Sequence, residues 1–348
     1  MDDNSSPLDS GPFVPATPTP QLRTSSQDLI ESIKHYADKL AQDDSTRGDL
    51  KILARTLQEL RYAIKMFKPY RGWRKVTVFG SARTRPDQPA YEQALQFGRA
   101  MAAHEWMVIT GAASGIMEAA HRGAGREHAI GLNIMLPFEQ QANPVIAGDD
   151  KLVHMKYFFT RKLMFVKECH AIVCLPGGLG TLDEALEVLT LLQTGKHDIM
   201  PVVLLDAPGG HYWTALHDFI CEHLLHEQMI SPEDLHLYRI TDNYQQAVDE
   251  IINFYRNFHS MRFVNHRLVL RLNRRLTSRE LQSVNEQFED ILSDGHFRQT
   301  GPLKPEREDQ EWLDKNRLVF HFNRRSLGRL RVLIDWINQQ PLVTPSEA

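Results

Sequence analysis

The sequence predicts an α/β protein: a doubly wound, Rossmann-like parallel sheet with a helical segment before it and a small α+β module after it. Short apolar runs alternate with amphipathic helical patterns between residues 73 and 258, as consecutive βαβ units do. Loops of small residues follow two of these runs, at the strand ends where such folds bind ligands. From about residue 259 apolar residues alternate with basic ones instead, a pattern typical of half-exposed strands.

Composition favours a cytoplasmic globular protein. With 348 residues, 42% of them hydrophobic, the chain can form one sizeable core and an accessory domain. A formal charge of −4 gives no overall attraction to nucleic acid, so we expect no such partner. No apolar run approaches the ~20 residues that span a bilayer, and Met1 to Asn4 do not resemble a signal peptide. Three cysteines without a CxxC pair predict neither disulfides nor a zinc site: Cys169, Cys174 and Cys221.

Two accessory segments precede the α/β domain. Residues 1–27 carry five prolines among serine, threonine and aspartate, a composition that cannot bury enough apolar surface to stay ordered, so we expect a disordered tail. Apolar residues recur with helical spacing at 28–42 and 48–67. These patterns predict a helical hairpin within 28–72, for which a structural role is the simpler explanation.

The α/β domain is predicted over 73–258. Strands are expected at 75–79, 106–110, 129–136, 171–175 and 201–205, where short apolar runs occur. Helical periodicity predicts helices at 91–103, 116–126 and 160–167, another that begins at Thr181, and two more near 212–227 and 244–258. This alternation implies parallel strands with helices on both faces and ligands at the carboxyl ends of the strands.

A small α+β module is predicted over 259–340, followed by a tail at 341–348. We expect a strand at 262–272, a helix at 278–292, a strand at 318–322 and a helix at 327–337. Clustered arginines make this module locally basic, which could serve an anionic effector or a nucleic acid. Acids such as Glu280 and Glu289 dilute that charge, and a role in packing or oligomerisation is therefore preferred.

Residues 168–187 organise the predicted site. Pro176 stops the apolar run at 171–175, and the glycines after it let the backbone approach a ligand closely. Helical spacing resumes at Thr181, so this loop ends at a helix N-terminus, whose exposed N–H groups and positive dipole attract anions. The same residues also fit a plain capping box, Thr181-x-x-Glu184, that binds no ligand. The glycines are Gly177, Gly178 and Gly180.

Glu184 helps to separate these two interpretations. A carboxylate so close to a phosphate cradle would weaken anion binding. An acid kept at this position in spite of that cost suggests work on the sugar or the base of a nucleotide rather than on its phosphate.

The nine residues from Pro176 to Glu184, PGGLGTLDE, resemble the PGGxGTxxE motif of the LOG ("Lonely Guy") family of nucleotide phosphoribohydrolases, long mislabelled lysine decarboxylases. Residues Tyr157 to Lys162 resemble the segment that carries the Arg-Lys pair of that family, one helix before the motif. The segments 131–134 and 136–140 resemble the part before it. The similarity covers roughly residues 73–256 and leaves both flanks outside.

The resemblance implies an enzyme that hydrolyses a nucleoside 5′-monophosphate, AMP or a cytokinin riboside monophosphate, to a free base and ribose 5-phosphate without a metal or cofactor. Arg161 and Glu184 match the catalytic pair of the family, and Glu139 and Lys162 match substrate-contacting positions. By the same analogy we expect a homodimer or an assembly of dimers. Other substrate contacts are expected at the strand ends and in the motif: Ser81, Gly111, Gly115, Gly177, Gly178, Gly180 and Thr181.

The residue types fit such chemistry. The phosphate would lie on the N–H groups of residues 177–181, and Glu184, one turn into the helix, would lie toward the ribose. Cleavage of an N-glycosidic bond builds positive charge on the sugar ring, so a nearby carboxylate that also orients water lowers the barrier. Arg161 would hold the nucleotide or assist the departing base, although without the resemblance a helix-surface arginine is the simpler interpretation.

The second small-residue loop departs from the family pattern. Residues 111–115 are Gly-Ala-Ala-Ser-Gly where the family usually has GGGxxG. Ala112 and Ala113 add two methyl groups that restrict close backbone approach, which puts phosphate contact at this loop, or the usual substrate preference, in question.

Other functions fit the residues less well. A dinucleotide-binding dehydrogenase would use 178–180 and Asp206, but Asp183 replaces the third glycine and would repel a pyrophosphate. No lysine is marked as a Schiff-base former for pyridoxal-phosphate chemistry, and His223 and His226 lack the HExxH pattern of a zinc enzyme. The alternative from another class is a nucleotide sensor that signals through the C-terminal module, although a sensor has no use for an acid beside the sugar.

Overall fold

The computed structural model describes residues 26–135, 141–310 and 312–341 and divides the chain into two units, Met1–Leu57 and Gln58–Ala348. The first unit contains helix α1 (Gln27–Lys39) and the beginning of α2 (Arg47–Phe67), which confirm the two helices predicted there. No residue of α1 is buried. The predicted tails lie almost entirely outside the described residues.

The second unit is built on a sheet of seven strands. They follow the order β4-β3-β2-β1-β5-β6-β7, and each neighbouring pair is parallel. The strands are β1 (Lys75–Phe79), β2 (Met107–Thr110), β3 (Ala129–Ile134), β4 (Leu152–Met155), β5 (Ala171–Cys174), β6 (Val202–Leu205) and β7 (Arg239–Thr241).

The sequence predicts five of these strands and misses β4 and β7. Both lie at the edges of the sheet, and they are only four and three residues long. β7 is half-exposed along its whole length. β4 contains His154, and β7 begins with Arg239 and ends with Thr241, so neither forms the continuous apolar run by which the other strands are recognised.

Six helices connect the strands and cover the sheet: α3 (Pro89–Ala103), α4 (Ile116–His128), α5 (Phe158–Lys167), α6 (Leu179–Gln193), α7 (Tyr212–Phe219) and α8 (Tyr244–Phe254). They confirm the predicted helices, although α6 begins at Leu179 and not at Thr181, and α8 ends at Phe254 and not near 258. The segment 212–227 is not a single α-helix, because α7 ends at Phe219 and a π-helical turn follows over Ile220–Leu225. Among the described residues, no helix has both the length and the apolar character needed to cross a membrane.

Alternate residues of the central strands enter two separate hydrophobic cores. On one face of the sheet, Val76 and Val173 belong to a buried cluster with residues of α3, α4 and α8. On the other face, Phe79 and Ile172 belong to a cluster with residues of α5 and α6. Helices therefore cover both faces, which confirms the predicted doubly wound fold class.

A second, antiparallel sheet forms the C-terminal module and follows the order β10-β11-β9-β8. Its strands and helices are β8 (Phe258–Val264), β9 (Arg267–Leu272), α9 (Ser278–Gln287), β10 (Leu292–Thr300), α10 (Lys304–Asp309), β11 (Asn316–Phe322) and α11 (Leu327–Gln339). This is the predicted α+β composition. The described strands of the parallel sheet end at residue 241 and those of the antiparallel sheet begin at 258, which supports our proposal of a domain boundary near 258.

Two predicted elements of this module are wrong in detail. The single strand expected at 262–272 is a hairpin of β8 and β9, which turns through Asn265 at a φ of 57°. The helix expected at 278–292 ends at Gln287, and β10 begins at Leu292. Both arms of a hairpin share one period of two, so a short turn between them does not interrupt the alternating pattern.

Several arginines of the module are engaged in ion pairs. Arg271 and Arg317 enclose the buried carboxylate of Glu306 at 2.9 and 3.2 Å, and the buried Arg331 pairs with Asp335 at 2.8 Å. Charges neutralised in this way add little to a long-range field that could attract a polyanion. The contacts support the packing role for this part of the chain.

Candidate active site

The candidate site lies where the strand order of the parallel sheet reverses. β1 and β5 are neighbours, and successive strands then run outward in opposite directions, which opens a crevice at their carboxyl ends. The loop after β1 joins the loop after β5 there, because the Ser81 N–H donates to the Pro176 carbonyl at 3.2 Å. The loop after β2 joins them through the Ile116 N–H, which donates to the Ser81 carbonyl at 3.0 Å.

A cleft of about 740 Å³ occupies this crevice, a volume within the usual range for small-ligand sites. Three loops and the N-terminal parts of α5 and α6 form its walls. Glu139, expected to contact the substrate, lies outside the described residues. The sequence-predicted site residues that line the cleft are Ser81, Gly111, Arg161, Gly178, Gly180, Thr181 and Glu184.

Two further predicted glycines allow the loops to approach each other. Gly115 has a φ of 68°, and a Cβ atom on it would lie 2.3 Å from the Ser81 carbonyl oxygen. A Cβ on Gly177 would lie 2.1 Å from Oγ1 of Thr181. A larger residue at Gly115 would force two loops apart, and one at Gly177 would crowd Thr181 within its own turn, so these glycines set the shape of the cleft.

Glu184 lines the cleft from the second turn of α6 and is only 4% exposed. Its Oε2 atom has no hydrogen-bond partner among the described residues. Burial raises the pKa of Glu184 from the usual 4.5 to about 7, against the opposing effect of the Lys162 and Arg161 charges. A buried polar atom without a hydrogen bond costs stability, so this placement points to function rather than to packing.

The capping box considered for Thr181 and Glu184 is wrong. α6 begins at Leu179 with Gly178 as its N-cap, and no side chain caps it. Thr181 therefore lies inside the first turn, and its N–H donates to the Gly178 carbonyl at 3.0 Å. The N–H groups of Leu179 and Gly180 occupy the first two helical positions, which have no partner within a helix, and they are the candidate anion donors.

Arg161 lies in the first turn of α5 and reaches the cleft between two aromatic rings. The centroids of Phe158 and Phe165 lie 5.2 and 5.4 Å from its guanidinium carbon. Within the described residues no hydrogen bond or ion pair fixes this guanidinium, and its Nε is buried without a partner. Burial lowers the pKa of Arg161, and the charge of Glu184 opposes that effect. The predicted catalytic pair is thus electrostatically coupled.

Lys162 is not among the described residues that line the cleft. Its Nζ lies 2.8 Å from Asp183 and 2.6 Å from Glu187, and 3.6 Å from Oε2 of Glu184. Partial burial lowers the pKa of Lys162, but these carboxylates outweigh it and raise the pKa overall. Lys162 therefore links α5 to α6 and keeps a positive charge beside Glu184.

The two alanines of the second loop have different surroundings. Ala112 is fully buried in a small cluster with Ile146 and Leu152, and its φ of 59° is unusual for a residue with a side chain. Ala113 lines the cleft. Of the two added methyl groups, the one on Ala113 is therefore positioned to affect a ligand.

The sequence analysis misses the apolar wall of the cleft and a supporting tyrosine. Phe158 lies three residues before Arg161, and an aromatic run beside a candidate catalytic arginine is a usable signal for it. The Tyr212 hydroxyl of α7 donates to the Gly177 carbonyl at 2.8 Å, a contact that nothing in its local sequence indicates. The unpredicted apolar residues of the wall are Phe79, Met117, Ile134, Phe158 and Phe165.

The histidines considered as metal ligands lie elsewhere and have other contacts. His223 packs against the ring of Phe219 with centroids 5.0 Å apart, and His226 lies 3.2 Å from its neighbour Glu227. Across the described part of the chain, no three His, Cys, Asp or Glu side chains are grouped so that they could hold a metal ion.

Comparisons with known proteins match the segment that contains the cleft. A family described as "Possible lysine decarboxylase" matches residues 114–251. A cytokinin riboside 5′-monophosphate phosphoribohydrolase of Arabidopsis thaliana is 31% identical over 166 residues, which cover 46% of this chain and 73% of that protein. A protein of the same name from Mycobacterium marinum is 33% identical over 144 residues, which cover 40% and 73%.

Solved structures resemble the chain more distantly. The molybdenum cofactor carrier protein of Chlamydomonas reinhardtii is 20% identical, and the match covers 52% of this chain and 98% of that one with a TM-score of 0.35. A likeness at this level supports no inference about ligand or function.

Proposed function

The chain belongs to the LOG family of phosphoribohydrolases, and from this premise we propose that it hydrolyses the N-glycosidic bond of a nucleoside 5′-monophosphate. The products would be a free base and ribose 5-phosphate. The names of the relatives make a cytokinin riboside 5′-monophosphate one candidate substrate, and AMP is the other that we propose.

The state of Glu184 carries this proposal. Its carboxyl group is buried beside a cleft large enough for a nucleotide, and one oxygen has no hydrogen-bond partner among the described residues. A glutamate kept for stability alone would cap its helix or complete an ion pair at hydrogen-bonding distance. A pKa of about 7 for Glu184 would let this carboxyl group exchange protons near neutral pH.

In the proposed reaction, water attacks C1′ of the ribose while the glycosidic bond breaks and the base leaves with the bonding electrons. Positive charge develops on the sugar ring, and ionised Glu184 would stabilise it and accept the proton that the water loses. The departing base, which carries the bonding electrons, finally takes up this proton from Glu184. The guanidinium of Arg161 would donate hydrogen bonds to the base or to the nucleotide and so favour its departure.

The phosphate would bind at the N-terminus of α6. The N–H groups of Leu179 and Gly180 would donate to its oxygens, together with the Thr181 hydroxyl. Arg83, an exposed cation in the cleft wall, would add positive charge. This arrangement separates the anion-binding groups from Glu184 by about one helical turn, close to 5 Å along the helix.

We also propose that the protein is a cytoplasmic homodimer or an assembly of dimers. Exposed apolar side chains near the cleft support an interface there, because large exposed apolar groups often mark interaction surfaces. Light scattering after size-exclusion chromatography tests this, and a monomer at micromolar concentration would contradict it. The side chains are Phe158, Phe159, Leu163 and Leu179, each at least 50% exposed.

A product assay tests the proposed activity. Purified protein incubated with AMP, a cytokinin riboside monophosphate and other nucleoside 5′-monophosphates should release base and ribose 5-phosphate in equal amounts. The corresponding nucleosides, which lack the phosphate, should react far more slowly. Tight binding of the monophosphates with no release of base from any of them would refute the hydrolase and support the nucleotide sensor.

A further inference from the structure

We infer that Glu59 of α2, which lies outside the segment that resembles the LOG family, is a positioning residue for Arg161. Glu59 is buried, with 3% of its surface exposed. Oε1 accepts a hydrogen bond from the Lys156 N–H and Oε2 accepts one from the Thr160 hydroxyl, both at 2.8 Å. The inference rests on the proposed function, because it assigns Glu59 a part in the same reaction.

The two hydrogen bonds bracket the start of α5. Lys156 precedes the N-cap residue Tyr157, and Thr160 is the third helical residue. Tyr157 itself provides no side-chain cap, while the Thr160 hydroxyl also lies 2.8 Å from the Tyr157 carbonyl. Glu59 therefore fixes the chain from another helix on both sides of the N-cap residue, through the Lys156 N–H and the Thr160 hydroxyl, and its negative charge lies at the positive end of the α5 dipole.

Arg161 is directly coupled to this contact. It follows Thr160 in the chain, and its N–H donates to the Tyr157 carbonyl at 3.3 Å as the first turn closes. The rings of Phe158 and Phe165 and the helix backbone hold its guanidinium in place. A displacement of the first turn of α5 would therefore move the guanidinium as well. Misplacement of a reacting group by about 1 Å can lower a rate about 100-fold.

Packing alone does not explain a carboxylate at this position. Ala63 and Phe67 of α2 already lie in the hydrophobic cluster that contains Met164 and Phe165 of α5. A leucine in place of Glu59 would extend this apolar contact without the desolvation cost of a buried charge. The hydrogen bonds to the start of α5 account for the acid better than the docking of α2 does.

Matched variants of the full-length protein test the inference. Glu59→Leu and Thr160→Val should each lower kcat/KM for the best monophosphate by about tenfold or more. Glu59→Gln should restore at least about a third of the wild-type value, because its amide can accept from the Lys156 N–H and donate to the Thr160 oxygen. Glu31→Leu and Thr190→Val, at exposed sites on α1 and α6, are the controls and should keep wild-type activity.

A double-mutant cycle separates positioning from simple loss of stability. In an Arg161→Ala background, Glu59→Leu should lower kcat/KM by less than about twofold, because the group that it positions is already absent. Losses that multiply fully in the double variant would overturn the inference, as would wild-type activity of Glu59→Leu. If Glu59→Leu does not fold, Thr160→Val decides the question, because it removes the hydroxyl that contacts Glu59 and the Tyr157 carbonyl without a change of charge or shape.

A second measurement keeps this inference distinct from the proposed activity. Amide hydrogen exchange in the first turn of α5 should be about tenfold faster in Glu59→Leu and Thr160→Val, with weaker AMP binding and no change in the controls. If the wild type releases no base, the proposed function fails, and these two measurements still decide the inference. Unchanged exchange and unchanged AMP affinity in both variants would refute it.

Discussion

Replacement of Glu184 by glutamine should abolish turnover and at the same time stabilise the folded protein above pH 7. Glutamine has nearly the shape of a protonated glutamate but cannot ionise. It would therefore remove the charge proposed to stabilise the ribose cation and also the cost of holding that charge in a buried site.

The size of the stabilisation follows from the pKa. Burial raises the pKa of Glu184 from 4.5 to about 7, and one pKa unit corresponds to about 1.4 kcal/mol, so the ionised group lowers the free energy of unfolding by about 3 kcal/mol. Below pH 4.5 the group is protonated in both states and the cost is absent. The cost grows as the pH rises from 4.5 to about 7 and stays constant above that.

Thermal unfolding and base release, measured on the same samples at pH 5 and pH 8, provide the assay. For a unit of this size, about 3 kcal/mol corresponds to a melting temperature roughly 5 °C higher for Glu184→Gln at pH 8, with a much smaller difference at pH 5. Glu222→Gln, at an exposed position outside the cleft lining, is the control and should show neither the stabilisation nor the loss of turnover.

Two results would refute this reasoning. Turnover by Glu184→Gln close to that of the wild type would remove Glu184 from the proposed chemistry. A variant less stable than the wild type by the same amount at pH 5 and pH 8 would show that the side chain serves the fold, since a pure structural contact has no reason to depend on ionisation of Glu184 in this pH range.

Three further predictions concern the same site. The kcat/KM of the wild type should fall about tenfold per pH unit below about 7, because ionised Glu184 is the active form; a flat profile from pH 5 to pH 8 would contradict this. Lys162→Met should move the fall in kcat/KM to higher pH, since the Lys162 charge, 3.6 Å from Glu184, lowers the pKa of that carboxyl group. Lys162→Arg keeps the charge and should leave the pH profile in place. Identical profiles of the two variants would count against the assignment of this titration to Glu184. Gly177→Ala should destabilise the protein by about 1–3 kcal/mol in chemical denaturation, because its Cβ would lie 2.1 Å from Oγ1 of Thr181; Gly72→Ala, whose Cβ meets nothing within 4 Å, is the control, and equal stabilities would show that the loop adapts.

Elements with a long or strongly apolar pattern are predictable from sequence alone. The central strands β1 and β5 and the long helix α3 match their predicted positions closely. A strand buried on both faces leaves a short continuous apolar run, and a helix buried along one stripe leaves a period of about 3.6 residues. The edge strands β4 and β7 leave no such pattern, since His154 interrupts the apolar residues of β4 and Ile240 is the one apolar residue of β7.

For the candidate site too, one part could be predicted from the sequence and another could not. The loop of Gly177, Gly178 and Gly180 and the acid Glu184 lie within a few residues of one another, so the sequence indicates both an anion site and an acid beside it. The capping alternative could be rejected only from the geometry of the helix start at Leu179. Local sequence does not specify whether a carboxyl group bonds its own helix or turns toward a cleft.

The sequence by itself determined the doubly wound fold and the glycines and acid of the motif, because both are recorded in residue types at short spacing. Only the tertiary structure decided what surrounds these groups: the burial of Glu184, the attachment of Lys162 to α6, and the contacts of Glu59 with residues 97 and 101 positions away. Periodicity shows which face of an element is buried. It does not show which distant side chain contacts that face, and these contacts set the pKa of Glu184 and the position that we infer for Arg161.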